Sequence, residues 1–399
     1  MRIAIVFLLP LALLSGKVQA AEPASGKVHS AAVKLAQAKK SSKRAGDLNH
    51  APFSIFIPDG VTTIRGVIFN PYYEKTVEQN HWRTAAAHWD FALMGSNLFG
   101  INKSNIGQVT LDGLKAMAEK TGMPELATAP LCLVGMSAGG GMSTSITAMI
   151  PDRVIAAAPV CLEVGPTNEG SNNTPIVTIF GERDGKQMEK LSAKLPVARA
   201  ENAQWAIAVQ WSQKHEFHHA GNVIMPFFDA AIRERLPKDP PPQGEPPKLL
   251  PYPQEKSWLG AKEQWGEAPA TIAPSSKAKG LDPKVSCWFP DSYNAHVWQA
   301  FVIKTPKIKI VDPPGLGGGQ KLIIHPENKP LQIETAISSD VDIDHIEIFL
   351  GDKPATTEKM NEYTFTLEKL PPGIHAVIAK GTNDKGQTYL SRPHTLLVR

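Results

Sequence analysis

Cysteine is scarce in this chain: Cys132, Cys161 and Cys287 are the only three among 399 residues. An odd number leaves at least one thiol unpaired, which excludes a fold stapled throughout by disulfides. The three read best as small buried apolar side chains. Net charge is scarce too. Lys and Arg number 42 against 38 Asp and Glu, a balance of +4, and removing Arg2 and Lys17 with residues 1–20 leaves +2. So small an excess excludes nucleic acid as the main partner. Long apolar runs are also missing. The run over residues 3–14 of "MRIAIVFLLPLALLSGKVQA" falls short of the roughly 20 residues that span a bilayer. It follows one early basic residue and leads to Val18-Gln19-Ala20, a small-residue cleavage pattern. Residues 1–20 are therefore expected to be a cleavable signal peptide, cut after Ala20. No cysteine lies near the cut, so a lipid anchor is not indicated. The expectation is a secreted or periplasmic protein with no membrane span.

What is present divides into regions. Residues 21–46 are rich in Ala, Lys and Ser, with Lys39, Lys40, Lys43 and Arg44 clustered, and read as a basic, solvated, flexible tether. From Phe53 the pattern changes. "FSIFIPD", "RGVIFNP", "WDFALMG", "APLCLVGM", "RVIAAAPVCLEVG", "TPIVTIFGE" and "AQWAIAVQW" are short apolar runs bounded by turn residues, and they read as strands. Several are apolar on both faces, as a buried parallel sheet requires. Helical stretches lie between them at 108–121, 138–150 and 186–199. Strand and helix in alternation predict an α/β fold with a mainly parallel sheet over residues 47–236. "GNVIMPFFDAAIRERL" closes that region as a helix, with Asn222 placed to cap its start.

The proline-rich segment "PKDPPPQGEPPKLLPYP" should be extended. Residues 254–305 carry Trp258, Trp265, Trp288 and Trp298. So many large aromatics predict that 237–305 is an extension packed on the catalytic region. "DPPGLGGG", 312–319, reads as a hinge. After it the period is two: Ile346, Ile348 and Leu350 share one face, and so do Tyr363, Phe365 and Leu367. Residues 306–399 are expected to form a small β-sandwich that buries its own core and folds independently of the chemistry.

The chemistry centres on Gly135-Met136-Ser137-Ala138-Gly139, a G-x-S-x-G motif running from an apolar strand into a small-residue helix. The flanking glycines let the two backbones approach, and the serine is held at the helix N-terminus, where amides and the helix dipole favour developing negative charge. A nucleophilic serine needs a base, and the base needs a carboxylate to orient it. Asp184 follows "TPIVTIFGE" and His215 follows "QWAIAVQW", in the order Ser, acid, His that the α/β-hydrolase fold uses. Glu163, after "APVCLE", is the rival acid, and His218 and His219 are rival bases. "KHEFHHAG", 214–221, also contains H-E-x-x-H. A zinc site of that kind needs a helix and a third ligand, for which only Glu234 is near. The motif follows a strand by three residues, and Ala220-Gly221-Asn222 interrupts it, so the triad reading is preferred. The oxyanion hole is expected to combine the backbone N–H of Ala138 with that of Tyr72, Tyr73 being the second choice. No metal or organic cofactor is required.

"GMSAGGGMS" resembles the nucleophile elbow of secreted α/β-hydrolases of the esterase and depolymerase type: feruloyl-esterase-like, polyhydroxyalkanoate-depolymerase-like and cutinase-like enzymes. "GERDG" resembles their acid loop and "KHE" their histidine loop, although Lys214 stands where glycine is more usual. "CWFPDSYNAHVWQAF" resembles a tail that follows the catalytic domain in some such proteins, and the C-terminal strands resemble bacterial immunoglobulin-like modules. The resemblance spans residues 52–236 for the hydrolase. It implies a serine esterase acting through an acyl-enzyme on an acylated polysaccharide, a polyester or a small ester. A zinc metallohydrolase and a catalytically silent polymer-binding protein are the other classes left open.

Overall fold

The computed structural model describes residues 24–40, 43–166, 168–242, 244–315, 322–359 and 363–399. The expected signal peptide, 1–20, lies outside them, as do residues 316–319 of the expected hinge. Eight strands form the main sheet: β1 (Gly26–Lys34), β2 (His50–Pro58), β3 (Gly66–Asn70), β4 (Phe91–Ser96), β5 (Leu131–Met136), β6 (Val154–Val160), β7 (Ile176–Gly181) and β8 (Trp205–Gln210). Their order is β1-β2-β4-β3-β5-β6-β7-β8. β1 and β2 are antiparallel to their neighbours; β4, β3 and β5–β8 run parallel. β4 and β6–β8 are buried along their whole length, which is why their sequences are apolar on both faces.

Parallel neighbours need crossovers. These are supplied by α1 (Asn80–Trp89), α2 (Ile106–Thr121), α3 (Ala138–Met149), the short α4 (Glu169–Asn172) and α5 (Gln187–Ala200), with α6 (Gly221–Arg235) following β8. This strand order with these crossovers is the α/β-hydrolase fold.

Two sequence expectations change here. Residues 26–34, read as part of a flexible tether, form β1 and pair with β2 over nine registered positions. Lys39 of the same stretch is buried, its Nζ donating to Ala45 O and Asn97 O at 2.9 Å each. A lysine-rich composition hid an edge strand, whose outer residues stay in solvent. Asn222, expected to cap α6, instead accepts the N–H of Thr395 on Oδ1 at 2.9 Å.

The segment after α6 closes the β8 edge. A small sheet of β9 (Trp258–Gly260), β10 (Ile272–Pro274) and β11 (Cys287–Phe289), with α7 (Ser292–Phe301), packs there. Trp298 Nε1 donates to Ile207 O at 2.8 Å, and Trp211 Nε1 donates to Val302 O at 2.7 Å. Indole donors thus help satisfy carbonyls around the β8 edge, Ile207 O also accepting the Cys287 thiol at 3.6 Å. All three cysteines are free and buried.

The C-terminal sandwich has two sheets. One is β12 (Ile308–Asp312), β14 (Leu331–Ile337) and β17 (Thr364–Leu367). The other is β13 (Ile323–His325), β20 (His394–Val398), β18 (Gly373–Thr382), β15 (His345–Leu350) and β16 (Lys353–Lys359), with β19 (Thr388–Leu390) paired to β18. Ile333, Ile346, Ile348, Phe365 and Leu367 fill the space between them. Tyr363, expected on the same face as Phe365 and Leu367, is exposed. The two sheets make an immunoglobulin-like all-β sandwich.

The sandwich is not a free bead on a hinge. Ile374, Ala376 and Ile378 of β18 and Leu397 of β20 belong to the core of the α/β region, while Val377, Ala379, Leu396 and Val398 belong to that of the sandwich. β18 and β20 are therefore apolar on both faces, one of them lying against α6 and α7. Tyr293 of α7 accepts the N–H of Ala376 on its hydroxyl, and the Asn222–Thr395 bonds lie beside it in this interface.

Candidate active site

The sequence expects its nucleophile at the end of β5, and there the chain makes a sharp reversal. Ser137 has φ 54° and ψ −123°, a backbone region that costs a non-glycine residue energy and must be held by its surroundings. It is held by its N–H, which donates to Val160 O at 2.8 Å, and by α3, whose Gly141 N–H donates back to Ser137 O at 3.2 Å. A Cβ on Gly135 would lie 2.4 Å from the backbone of Gly139, so only glycine lets strand and helix come this close. The hydroxyls of Ser143, Thr144, Ser145 and Thr147 in α3 all turn back onto carbonyls four residues earlier. Ser137 is the one serine presented at the head of this helix.

The ends of β7 and β8 supply the other two expected residues. His215 Nδ1 is 3.0 Å from Asp184 Oδ1 and 3.1 Å from Oδ2. The carboxylate accepts, so Nδ1 is the donor of this pair. The two loops are tied to each other along their length. Arg183 N donates to Gln213 O at 2.8 Å, Glu182 N to Gln210 O at 2.9 Å, and Ser212 N to Glu182 Oε2 at 2.9 Å. The histidine loop crosses directly over the end of β7: a Cβ on Gly181 would sit 2.2 Å from Lys214 O. The Asp184 side chain is 13% exposed and that of His215 45%, so the acid is sheltered and the imidazole is open to solvent. Among the described residues no hydrogen bond joins Ser137 to His215. Such bonds are often long in unliganded enzymes and tighten around substrate.

Ser137 lines a cleft of about 320 Å³ with Tyr72, Tyr73, Trp82, Met136 and Phe217. Phe217 is two positions after His215, so the same loop carries His215 and one cleft wall. A larger cavity of about 510 Å³ lies at the opposite, amino end of the strands, beside Arg65, Asp90 and Pro130. It holds no part of the Ser137–Asp184–His215 set, and in open α/β sheets the carboxyl ends carry the chemistry.

The rival residues are placed elsewhere. Glu163 pairs with Lys190 of α5 at 2.7 Å, and its carbonyl accepts Lys194 Nζ at 2.7 Å. His218 and His219 pack edge to face with ring centroids 3.8 Å apart. His219 lines a cavity with Arg392 and His394 of the sandwich, on the interface side of the loop. Burial lowers the His218 pKa, against the opposing pull of Glu216. The H-E-x-x-H stretch is not helical: α6 begins only at Gly221, and His215 and His219 face different parts of the molecule. The third ligand considered for zinc, Glu234, pairs with Lys256 at 2.6 Å.

Ala138 opens α3, so its N–H is one of the unpaired amides of a helix start. Tyr72, the other expected oxyanion donor, gives its N–H to Asn70 Oδ1 at 3.2 Å, and Tyr73 N donates to the same oxygen at 3.2 Å. Asn70 was not singled out from the sequence. Its signal was the Asn-Pro pair at the end of β3, the start of a turn in which an Asn side chain mimics backbone. Cys161 was read only as filler. Its thiol is buried, its φ is 54°, and its Sγ lies 3.2 Å from Glu216 O and within 4.8 Å of the Asp184 and His215 ligand atoms. Burial, reinforced by the Asp184 charge, pushes this thiol up to about 12, so it stays protonated as an S–H donor.

No family model matches the chain, and no curated protein matches it. Solved structures do. A cold-adapted esterase from an Arctic intertidal metagenomic library matches at 15% identity and TM-score 0.37, over 53% of this chain and 98% of that one. A peroxisomal α/β-hydrolase from Saccharomyces cerevisiae matches at 9% identity and TM-score 0.37, over 54% and 90%. Fibronectin(III)-like modules of CbhA from Clostridium thermocellum match at 18% identity and TM-score 0.21, over 23% of this chain and 93% of theirs. The fold assignment stands on strand order and connections. Among the described residues no helix is long and apolar enough to cross a membrane.

Proposed function

We propose that this chain is an exported serine hydrolase that cleaves carboxylic esters through Ser137, His215 and Asp184. The observation that carries the reading is the His215–Asp184 clasp at 3.0 Å, at the same carboxyl ends of the parallel strands as a strained serine at the head of α3. Neither feature is needed to stabilise an α/β sheet, and together they are the parts of a general-base-activated nucleophile. Ser137 Oγ attacks the acyl carbon while His215 Nε2 takes its proton. Asp184 fixes the tautomer and stabilises the imidazolium. The oxyanion forms where the Ala138 N–H points, with the Tyr72 amide as second donor if Asn70 yields or shares it. His215 then protonates the leaving alcohol, and water attacks the acyl-enzyme by the same route. Export rests on the pattern of residues 1–20. The substrate is an ester, small or polymeric, and the half-open aromatic cleft favours neither.

The test is an alkyl fluorophosphonate followed by peptide mapping, with hydrolysis of a panel of soluble esters. Labelling should fall on Ser137 alone, and Ser137→Ala should abolish both labelling and turnover. Undiminished ester turnover by that variant would remove the proposal.

A further inference from the structure

Two adjacent residues at the end of β6 touch all three loops of the site. Val160 O accepts the N–H of Ser137 at 2.8 Å. Cys161 N donates to Ile179 O at 2.8 Å, on the strand that leads to Asp184. Cys161 Sγ donates to Glu216 O at 3.2 Å, the residue after His215, and Lys214 O lies 4.0 Å from the same sulfur. The nucleophile, acid and base loops are otherwise separate pieces of chain; the acid and base loops are joined to each other, and Gln210 at the end of β8 also holds the base loop, its Nε2 donating to Glu216 O at 3.3 Å and its Oε1 accepting the His219 N–H at 2.9 Å. The end of β6 is where the nucleophile joins them.

The backbone of Cys161 is costly. A φ of 54° is comfortable for glycine and unfavourable for cysteine. If this position had only to turn the chain, glycine would do it with less strain. What the cysteine adds is the thiol, and the left-handed turn aims it under the histidine loop. Being protonated, the thiol is no competing nucleophile. It is a weak donor, long enough to reach a carbonyl and soft enough to pack against the Asp184–His215 pair.

We propose that Cys161 is a positioning residue: its thiol clamps the 214–216 backbone and so holds His215 in register with both Asp184 and Ser137. It acts through the loop and does not touch substrate. The inference rests on the triad reading above and adds to it a fourth residue with a role of its own.

The experiment compares Cys161→Gly, Cys161→Ala and Cys161→Ser in the full chain. Each is measured for kcat, KM, the acidic limb of the pH–rate profile, fluorophosphonate labelling and thermal midpoint. Glycine relieves the backbone and removes the clamp. We expect Cys161→Gly to keep or raise the thermal midpoint while kcat falls about tenfold or more at unchanged KM, with a displaced acidic limb. Cys161→Ala should lose kcat similarly. Cys161→Ser keeps a hydroxyl donor on the same Cβ and should recover most of kcat. Cys161→Gly with wild-type kcat and an unmoved acidic limb would overturn the proposal, as would Ser and Ala variants that behave alike. Labelling separates the two claims. Wild-type labelling at Ser137 with an indifferent Cys161→Gly sinks only the clamp, whereas no labelling at Ser137 sinks the triad reading itself.

Discussion

His215 and His219 sit four residues apart on one loop and belong to different parts of the molecule. His215 turns to the carboxyl ends of the parallel strands and meets Asp184. His219 turns to the seam where the sandwich docks, beside Arg392 and His394. One short segment therefore serves the proposed chemical face and a packing face. The difference teaches that a local cluster of histidines need not be a cluster in space. The backbone makes the division: His218 has φ 37°, a left-handed residue that breaks any helical alignment of the ring positions.

The sharpest way to break that comparison is to truncate the histidines singly. His215→Ala should lower kcat by roughly 10³-fold or more, because removing the base leaves only binding and oxyanion stabilisation. His218→Ala and His219→Ala should change kcat less than tenfold and instead lower the thermal midpoint. Steady-state kinetics and melts on the three variants decide it. A His218→Ala or His219→Ala enzyme as inactive as His215→Ala would merge the two faces into one.

The packing face can be tested by itself. Ile374, Ala376, Ile378 and Leu397 bury against the α/β region, so a chain ending at residue 305 would expose the α6–α7 surface to water. We expect it to melt lower and to aggregate more readily than the full chain, read by thermal melts and light scattering. An equal melting midpoint would restore the picture of an independent bead. A finer cut is Asn222→Ala, which strands the buried N–H of Thr395. It should cost about 1–3 kcal/mol of stability while kcat stays within about twofold. Denaturant unfolding and kinetics check both halves of that statement.

Most of the α/β region was legible because its signals are local and redundant. The runs read as strands correspond to β2–β8, and the stretches at 108–121, 138–150 and 186–199 to α2, α3 and α5. The meeting of Asp184 with His215, and the place of Ser137 at the end of β5, followed from strand ends, not from neighbours in sequence. What was missed shares a physical reason: each feature depends on a partner far along the chain. β1 is lysine-bearing and reads as a tether until β2 pairs with it. Asn222 looks like a helix cap until Thr395, 173 positions away, claims it. β18 reads as a sandwich strand, and only docking explains its second apolar face. Cys161 is an unremarkable buried thiol until Glu216 arrives above it.

Acid should distinguish the two faces by stability alone. His88, His375 and His394 all have lowered pKa values, burial being the first cause in each. Opposing pulls come from Asp229 and Asp90 on His88, and from the bonds of His375 to Pro371 O and His394 to Pro313 O. When the folded value lies below the unfolded one, the unfolded state binds more protons, and stability rises with pH. No penalty exists well above the ordinary histidine value of about 6.5. It sets in as pH falls through that value and saturates below the depressed folded values. The thermal midpoint should therefore fall between about pH 7.5 and about pH 5.5, and His394→Asn should flatten that slope modestly. Asparagine offers an N–H for Pro313 O and has nothing to protonate. A slope unchanged in His394→Asn would show that the seam histidines are not what acid strains, and that the charge-sensitive part of the fold lies elsewhere.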